Sequence, residues 1–212
     1  MFLLLLCAAF CGVLTCVTIK YFEKRDSLYG VLKLPLCLLF EIVFCIGMVF
    51  ALYGRIYTVG MAALVAVLLW MLLVTSYMDC RCGQFHVVVV FVALVIHLAA
   101  VVISLLRGTS ILLYGTNLKY LFVMLLILVI AAVLGLAIGD CVIYFVCMLN
   151  FSMIYDEILI PVLVLVFVSN FIGLVCNIKR LFNKELRKQR FPFTVYICVG
   201  CFVAYLLCFV AQ

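Results

Sequence analysis

Apolar and polar positions divide the chain into eight apolar stretches separated by short polar breaks: 2–19, 34–53, 56–78, 87–106, 120–138, 141–155, 158–178 and 191–210. About 20 consecutive apolar residues form a helix long enough to cross the hydrocarbon core of a bilayer. The pattern therefore predicts an all-α integral membrane protein, a bundle of about eight transmembrane helices forming a single polytopic domain over residues 1–212. The sixth stretch is short and the third is long. Pro35, near the start of the second, suits a first helical turn, where a missing N–H is tolerated. The first stretch has no basic segment before it and runs into Lys20, Lys24 and Arg25, so it reads as a retained helix and not as a cleaved signal peptide.

Composition agrees with this reading. Apolar residues make up 72% of the chain and charged residues 10%, with a mean hydropathy of +1.52. Soluble domains carry about 45–50% apolar and about 25% charged residues. The same figures exclude a disordered chain, a collagen-like repeat and a DNA-binding module. Nor do the 13 cysteines form a disulfide framework, because nearly all fall inside apolar runs, where cysteine acts as a small hydrophobe. Cys198 and Cys201 have a redox or zinc spacing, but they sit in an apolar segment with no second pair.

The charge of +6 does not call for nucleic acid as a partner, since basic residues of membrane proteins collect in cytoplasmic loops. With the N-terminus outside, the inner connections are 20–33, 79–86, 139–140 and 179–190, and these hold eleven of the 14 basic residues. The stretch 179–190 is then a cationic anchor that can also meet anionic lipid heads.

The acids carry the candidate chemistry, because charge near lipid is costly and needs a reason. Glu23, Asp26 and Glu185 lie among basic residues, and Asp156 and Glu157 form an outer turn. Three remain: Glu41 inside the second stretch, Asp79 after the third, and Asp140 between the fifth and sixth. Asp79 and Asp140 fall on the same membrane side at the same depth, although 61 positions separate them. Two carboxyls in hydrogen-bonding range share a proton. One can then activate water as a base while the other protonates the amide being cleaved. From position alone a structural reading stays open: Asp140, after Gly139, also looks like a helix cap, and Asp79 could cap the fourth helix or pair with Arg81.

Local residues add to the dyad reading. Asp79, Arg81 two residues later and Phe85 four after that resemble the first aspartate motif of the type IV prepilin peptidases, with His86 where the family has proline. Ala137-Ile-Gly139-Asp140-Cys-Val142 is similar to the family's second motif, Gly-x-Gly-Asp-x-Lys, with Val142 in place of the lysine. Ser169-Asn-Phe-Ile-Gly173 followed by Lys179 and Arg180 resembles the seventh helix. Phe191-Pro192-Phe193 leading to Gly200 resembles the opening of the eighth, and Gly12 to Val17 is faintly similar to the first.

The resemblance implies a membrane-embedded aspartyl endopeptidase of the Gly-x-Gly-Asp type in a bacterial inner membrane. Asp79 and Asp140 would be catalytic, with Gly139 and Arg81 in support. Its substrates would be prepilin or pseudopilin precursors, cut after a short basic leader at the cytoplasmic face. Many members carry two Cys-x-x-Cys pairs suited to zinc after the first helix. The loop 20–33 has no cysteine, so this is a short form with no metal site expected. No cofactor is needed for proteolysis. The resemblance also leaves open N-methylation of the product with S-adenosylmethionine, as family enzymes often perform it, although no residues here identify a site for it.

The remaining polar positions read as structural. His97, midway along the fourth stretch, suits a neutral, hydrogen-bonded histidine in the bundle. Asn150 and Ser152 form a glycosylation sequon only formally, because they lie in an apolar run. The alternative to a peptidase is a small carrier or channel, which would also use intramembrane groups such as Glu41 and His97. Against it, the two best acids sit at the membrane edge and no pair of broken helices marks a transport site.

Overall fold

The computed structural model describes residues 2–25, 59–106, 115–134, 136–155, 157–182 and 192–210. Among them every regular element is a helix: α1 (Phe2–Arg25), α2 (Val59–Cys82), α3 (Val87–Leu106), α4 (Gly115–Val133), α5 (Ile138–Ile154), α6 (Leu159–Phe182) and α7 (Thr194–Val210). Three segments are long and apolar enough to cross a membrane: Gly60–Cys80, Val87–Leu106 and Leu159–Ile178. The expected second helix, 34–53 with Glu41, lies outside the described residues.

Helices are the form such sequences must take, because each backbone N–H and C=O is satisfied within the segment without water. The ends have local causes. Gly83, at φ 62°, takes the left-handed conformation open to glycine, and its N–H closes the last turn of α2 onto the Asp79 carbonyl at 2.8 Å. Pro161 falls in the first turn of α6, where no intrahelical donor is lost.

Two edges differ from the apolar pattern. The break before α5 is at 134–137, not 139–140, so Gly139 and Asp140 lie inside its first turn. Asp79 belongs to the last turn of α2 and does not follow the helix. In both cases the run of apolar residues ends at a charge, while the backbone hydrogen bonding continues past it.

α2 and α5 form the centre of the bundle. Twelve of the 17 residues of α5 are buried. On α3 only Val89, Val90, Ala93 and His97 are buried, a single inward stripe at helical spacing. The outer faces of α3, α4 and α6 expose Phe91, Phe122, Phe167, Phe171 and many aliphatic side chains. Contiguous apolar surface on this scale is not found on water-soluble monomers.

Side-chain pairings set the directions of the helices. Cys11 meets Ala66, Thr18 meets Trp70 and Glu23 meets Tyr77, so α1 and α2 run parallel. α6 and α7 are antiparallel and closely packed at small residues. Ser169 and the Leu165 carbonyl, at 2.8 Å from where a Cβ would stand, press against Gly200, the way transmembrane helices approach when small side chains line the contact. At the other end of that pair, Asn177 donates to the Tyr196 hydroxyl at 3.1 Å.

Candidate active site

One end of the bundle gathers the C-terminal ends of α1, α2, α4 and α6 and the N-terminal ends of α3, α5 and α7. Phe22 at the end of α1 stacks on His86, with ring centroids 3.9 Å apart, and Tyr77 donates a hydrogen bond to Glu23. Gly139 lies against Phe85. A Cβ added there would stand 2.5 Å from the ring tip, so only glycine fits beneath this aromatic side chain as it sits. The residues that the resemblance pairs in sequence, Phe85 after the first aspartate and Gly139 before the second, are thus in contact.

Asp79 and Asp140 meet at this end, and both are buried, at 6% and 8% exposure. Burial first, and the neighbouring Asp79 charge second, push the Asp140 carboxyl up to about 6. Desolvation disfavours the ionised form, and a nearby like charge adds to that. Asp140 follows Gly139 in the first turn of α5, whose cap position is Ala137 without a side-chain capping bond. The capping reading of Asp140 therefore does not hold.

Asp79 caps a helix, but not α3. Its Oδ2 accepts hydrogen bonds from the backbone N–H of Thr194 at 3.0 Å and from the Thr194 hydroxyl at 2.6 Å. Thr194 is the first residue of α7, so its N–H is one of the donors a helix leaves unpaired at its N-terminus. A carboxylate there is also favoured by the helix dipole. Ser76, one turn before Asp79, donates to the Thr194 carbonyl at 3.3 Å. The end of α2 is thereby bound to the start of α7 across 115 positions of sequence.

Thr194 and Ser76 are the site residues that sequence reading missed. The available signal was Pro192-Phe193-Thr194 ahead of an apolar run, a helix-start pattern, but the pattern does not say which acid the threonine would meet. Arg81 lies in the last turn of α2, with its side chain outside the described residues. Among the described residues no group of three His, Cys, Asp or Glu side chains is placed to hold a metal ion. The cysteines described at this end, Cys80 and Cys141, are free thiols.

Chemically the arrangement offers two carboxyls of unequal character at one end of the bundle, one with two donors aimed at it and one whose ionisation burial disfavours. No known protein family, curated protein or solved structure matches the chain.

Proposed function

We propose that the chain is an integral-membrane aspartyl endopeptidase of the prepilin peptidase type, acting on prepilin or pseudopilin precursors at the cytoplasmic face of a bacterial inner membrane. The observation that carries the reading is the placement of Asp79 and Asp140, from helices far apart in sequence, as two buried carboxyls near enough for the Asp79 charge to act on Asp140. The ionised carboxyl takes a proton from water, and the hydroxide attacks the scissile carbonyl carbon. The protonated carboxyl gives its proton to the leaving nitrogen, the C–N bond breaks, and the products are a carboxylic acid and an amine. Two carboxyls of different proton affinity are what such acid and base assignments need.

The sidedness has its own support. Lys20, Lys24, Arg81, Lys179 and Arg180 belong to the helix ends that share the end of the bundle with the two acids, as cytoplasmic placement requires. Eight crossings with the N-terminus outside, the arrangement the apolar pattern predicts, agree with the parallel course of α1 and α2. A precursor with a basic leader and an apolar helix can rest that helix in lipid against the bundle while its leader lies at the depth of the acids. The peptide at the cut must unwind, because an intact helix keeps its amides hydrogen-bonded.

The test is cleavage of a leader-bearing precursor peptide by the full chain in liposomes. Asp79→Asn and Asp140→Asn are each expected to lower cleavage by about 100-fold or more with helical content unchanged. Near-normal cleavage by either variant overturns the reading, and uptake of small solutes by the same liposomes without cleavage favours a carrier.

A further inference from the structure

The two acids have unequal partners. Asp79 holds two donors on one oxygen, both from Thr194, and sits at the N-terminus of α7. Among the described residues no side chain or backbone N–H donates to the Asp140 carboxyl, which is as deeply buried as Asp79. Hydrogen bonds from N–H and O–H donors stabilise a carboxylate over a carboxylic acid, whereas burial without them does the reverse. The Asp79 charge adds to the cost of ionising Asp140, so a proton held between the two goes to the carboxyl that has less to lose by holding it.

We propose that Thr194 is a positioning residue that keeps Asp79 as the charged member of the pair and leaves the shared proton on Asp140, making Asp79 the base that activates water and Asp140 the acid. The catalytic meaning of this assignment rests on the peptidase reading, but the location of the proton does not. The basic residues Lys20, Lys24, Arg81, Lys179 and Arg180 belong to helix ends at the same end of the bundle, and further titratable groups are described around the pair. The thiol of Cys80 on α2 interacts with Asp79, and the thiol of Cys141 and phenol of Tyr144 on α5 interact with Asp140. From α7, Cys198 is turned to Ser76. From α1, Glu23 is engaged by Tyr77, and in the connecting loop His86 stacks on Phe22. Thr194 is thus the described group that distinguishes the two carboxyls by direct hydrogen bonding.

The experiment is infrared spectroscopy of the full chain in detergent at about pH 5, above the ordinary aspartate range. Spectra are taken as differences from the Asp79→Asn, Asp140→Asn double variant. A carboxylic-acid C=O band is expected in Asp79→Asn, where Asp140 remains, and not in Asp140→Asn, where Asp79 remains. Adding Thr194→Val to Asp140→Asn should bring the band in, and adding Thr194→Ser, which keeps the hydroxyl, should not. A band in Asp140→Asn as strong as in Asp79→Asn overturns the proposal without any change at Thr194, so a Thr194→Val chain that failed to fold would not shield it. A folded Thr194→Val, Asp140→Asn chain with no band also overturns it.

Peptide cleavage separates the two layers. Thr194→Val alone is expected to lower kcat about tenfold with little change in KM, and Thr194→Ser to recover most of the loss. If the infrared pattern holds while the wild-type chain cleaves nothing, the proton assignment stands and the peptidase reading falls. If the wild type cleaves and the pattern is reversed, the reverse is true.

Discussion

The molecule buries polar groups in two places, and they are built on opposite rules. In the middle of the bundle His97 of α3, Asn150 of α5 and Tyr205 of α7 form one closed chain. His97 Nδ1–H donates to the Ala93 carbonyl at 2.8 Å, Asn150 Nδ2 donates to His97 Nε2 at 3.0 Å, and the Tyr205 hydroxyl donates to Asn150 Oδ1. Each of the three side chains is all but fully buried, and Phe151 packs edge-on to Tyr205. At the boundary, among the described residues, Asp79 accepts hydrogen bonds on one oxygen and Asp140 is left to its burial. A polar network that is fully satisfied fixes how helices sit. A pair that is incompletely satisfied keeps hydrogen-bonding capacity for something else. Depth alone therefore does not mark the site, since the more deeply buried network is the structural one.

The comparison breaks most sharply under substitution of the acids. Asp79→Asn or Asp140→Asn should reduce peptide cleavage by about 10²–10⁴-fold, the range for loss of a general acid or base. Asn150→Ala should leave the rate per folded molecule within about twofold while removing the partner of both His97 and Tyr205. Stranding buried polar groups costs about 1–3 kcal/mol, and hydrogen bonds between transmembrane helices fall at the low end of such values. Denaturant unfolding in micelles reads the stability, and cleavage at low temperature reads the rate. An Asn150→Ala chain that was stable and inactive would invert the assignment of the two regions.

A smaller effect follows from the sign of the Asp140 shift. Its carboxyl is raised from the ordinary 3.8 to about 6 in the folded chain, so between these values the folded state holds a proton that the unfolded state has lost. Stability contributed by this group is therefore present below about 4 and declines as pH rises through about 6. Above that, the folded state carries a buried charge it would be better without. Asp140→Asn should then be more stable than the wild type at neutral pH, by about 1–2 kcal/mol, and the difference should vanish in acid. Thermal unfolding at both pH values checks it. A neutral-pH loss of stability in Asp140→Asn would mean that Asp140 is a structural group like Asn150 and not a strained one.

Much of this was legible along the chain, for physical reasons that also set the limit. The apolar runs at 87–106 and 158–178 are almost the helices α3 and α6, because lipid-facing sides select apolar residues without regard to neighbours. Loop alternation brought Asp79 and Asp140 to one end because each crossing reverses the chain. Helix ends were less legible. Asp79, Cys80 and Arg81 look like loop residues, yet the helix continues to Cys82 and stops where Gly83 can turn left-handed. The bond from Thr194 to Asp79 and the chain from His97 through Asn150 to Tyr205 link positions 53 to 115 residues apart. Such links depend on which helices become neighbours, and neither period nor composition encodes that.

Two glycines carry the comparison down to its smallest expected effect. At Gly200 an added methyl would press on the Leu165 carbonyl and Ser169, atoms of a helix that cannot move alone, so Gly200→Ala should force α6 and α7 apart and cost about 1–3 kcal/mol. At Gly139 the obstacle is the tip of the Phe85 ring, the far end of a half-buried side chain that can swing aside. Gly139→Ala should therefore cost less stability than Gly200→Ala. Its consequence falls on geometry, because Asp140 is the next residue and the ring reaches over from the loop that follows Asp79. A shift of a few tenths of an ångström in one carboxyl relative to the other should slow cleavage several-fold, since misplacement of about 1 Å can cost about 100-fold. Comparing the two variants by unfolding and by kcat tests whether the boundary is tuned for position and the bundle for packing. Equal losses of stability with equal rates would mean that Phe85 and Gly139 are packing partners and nothing more.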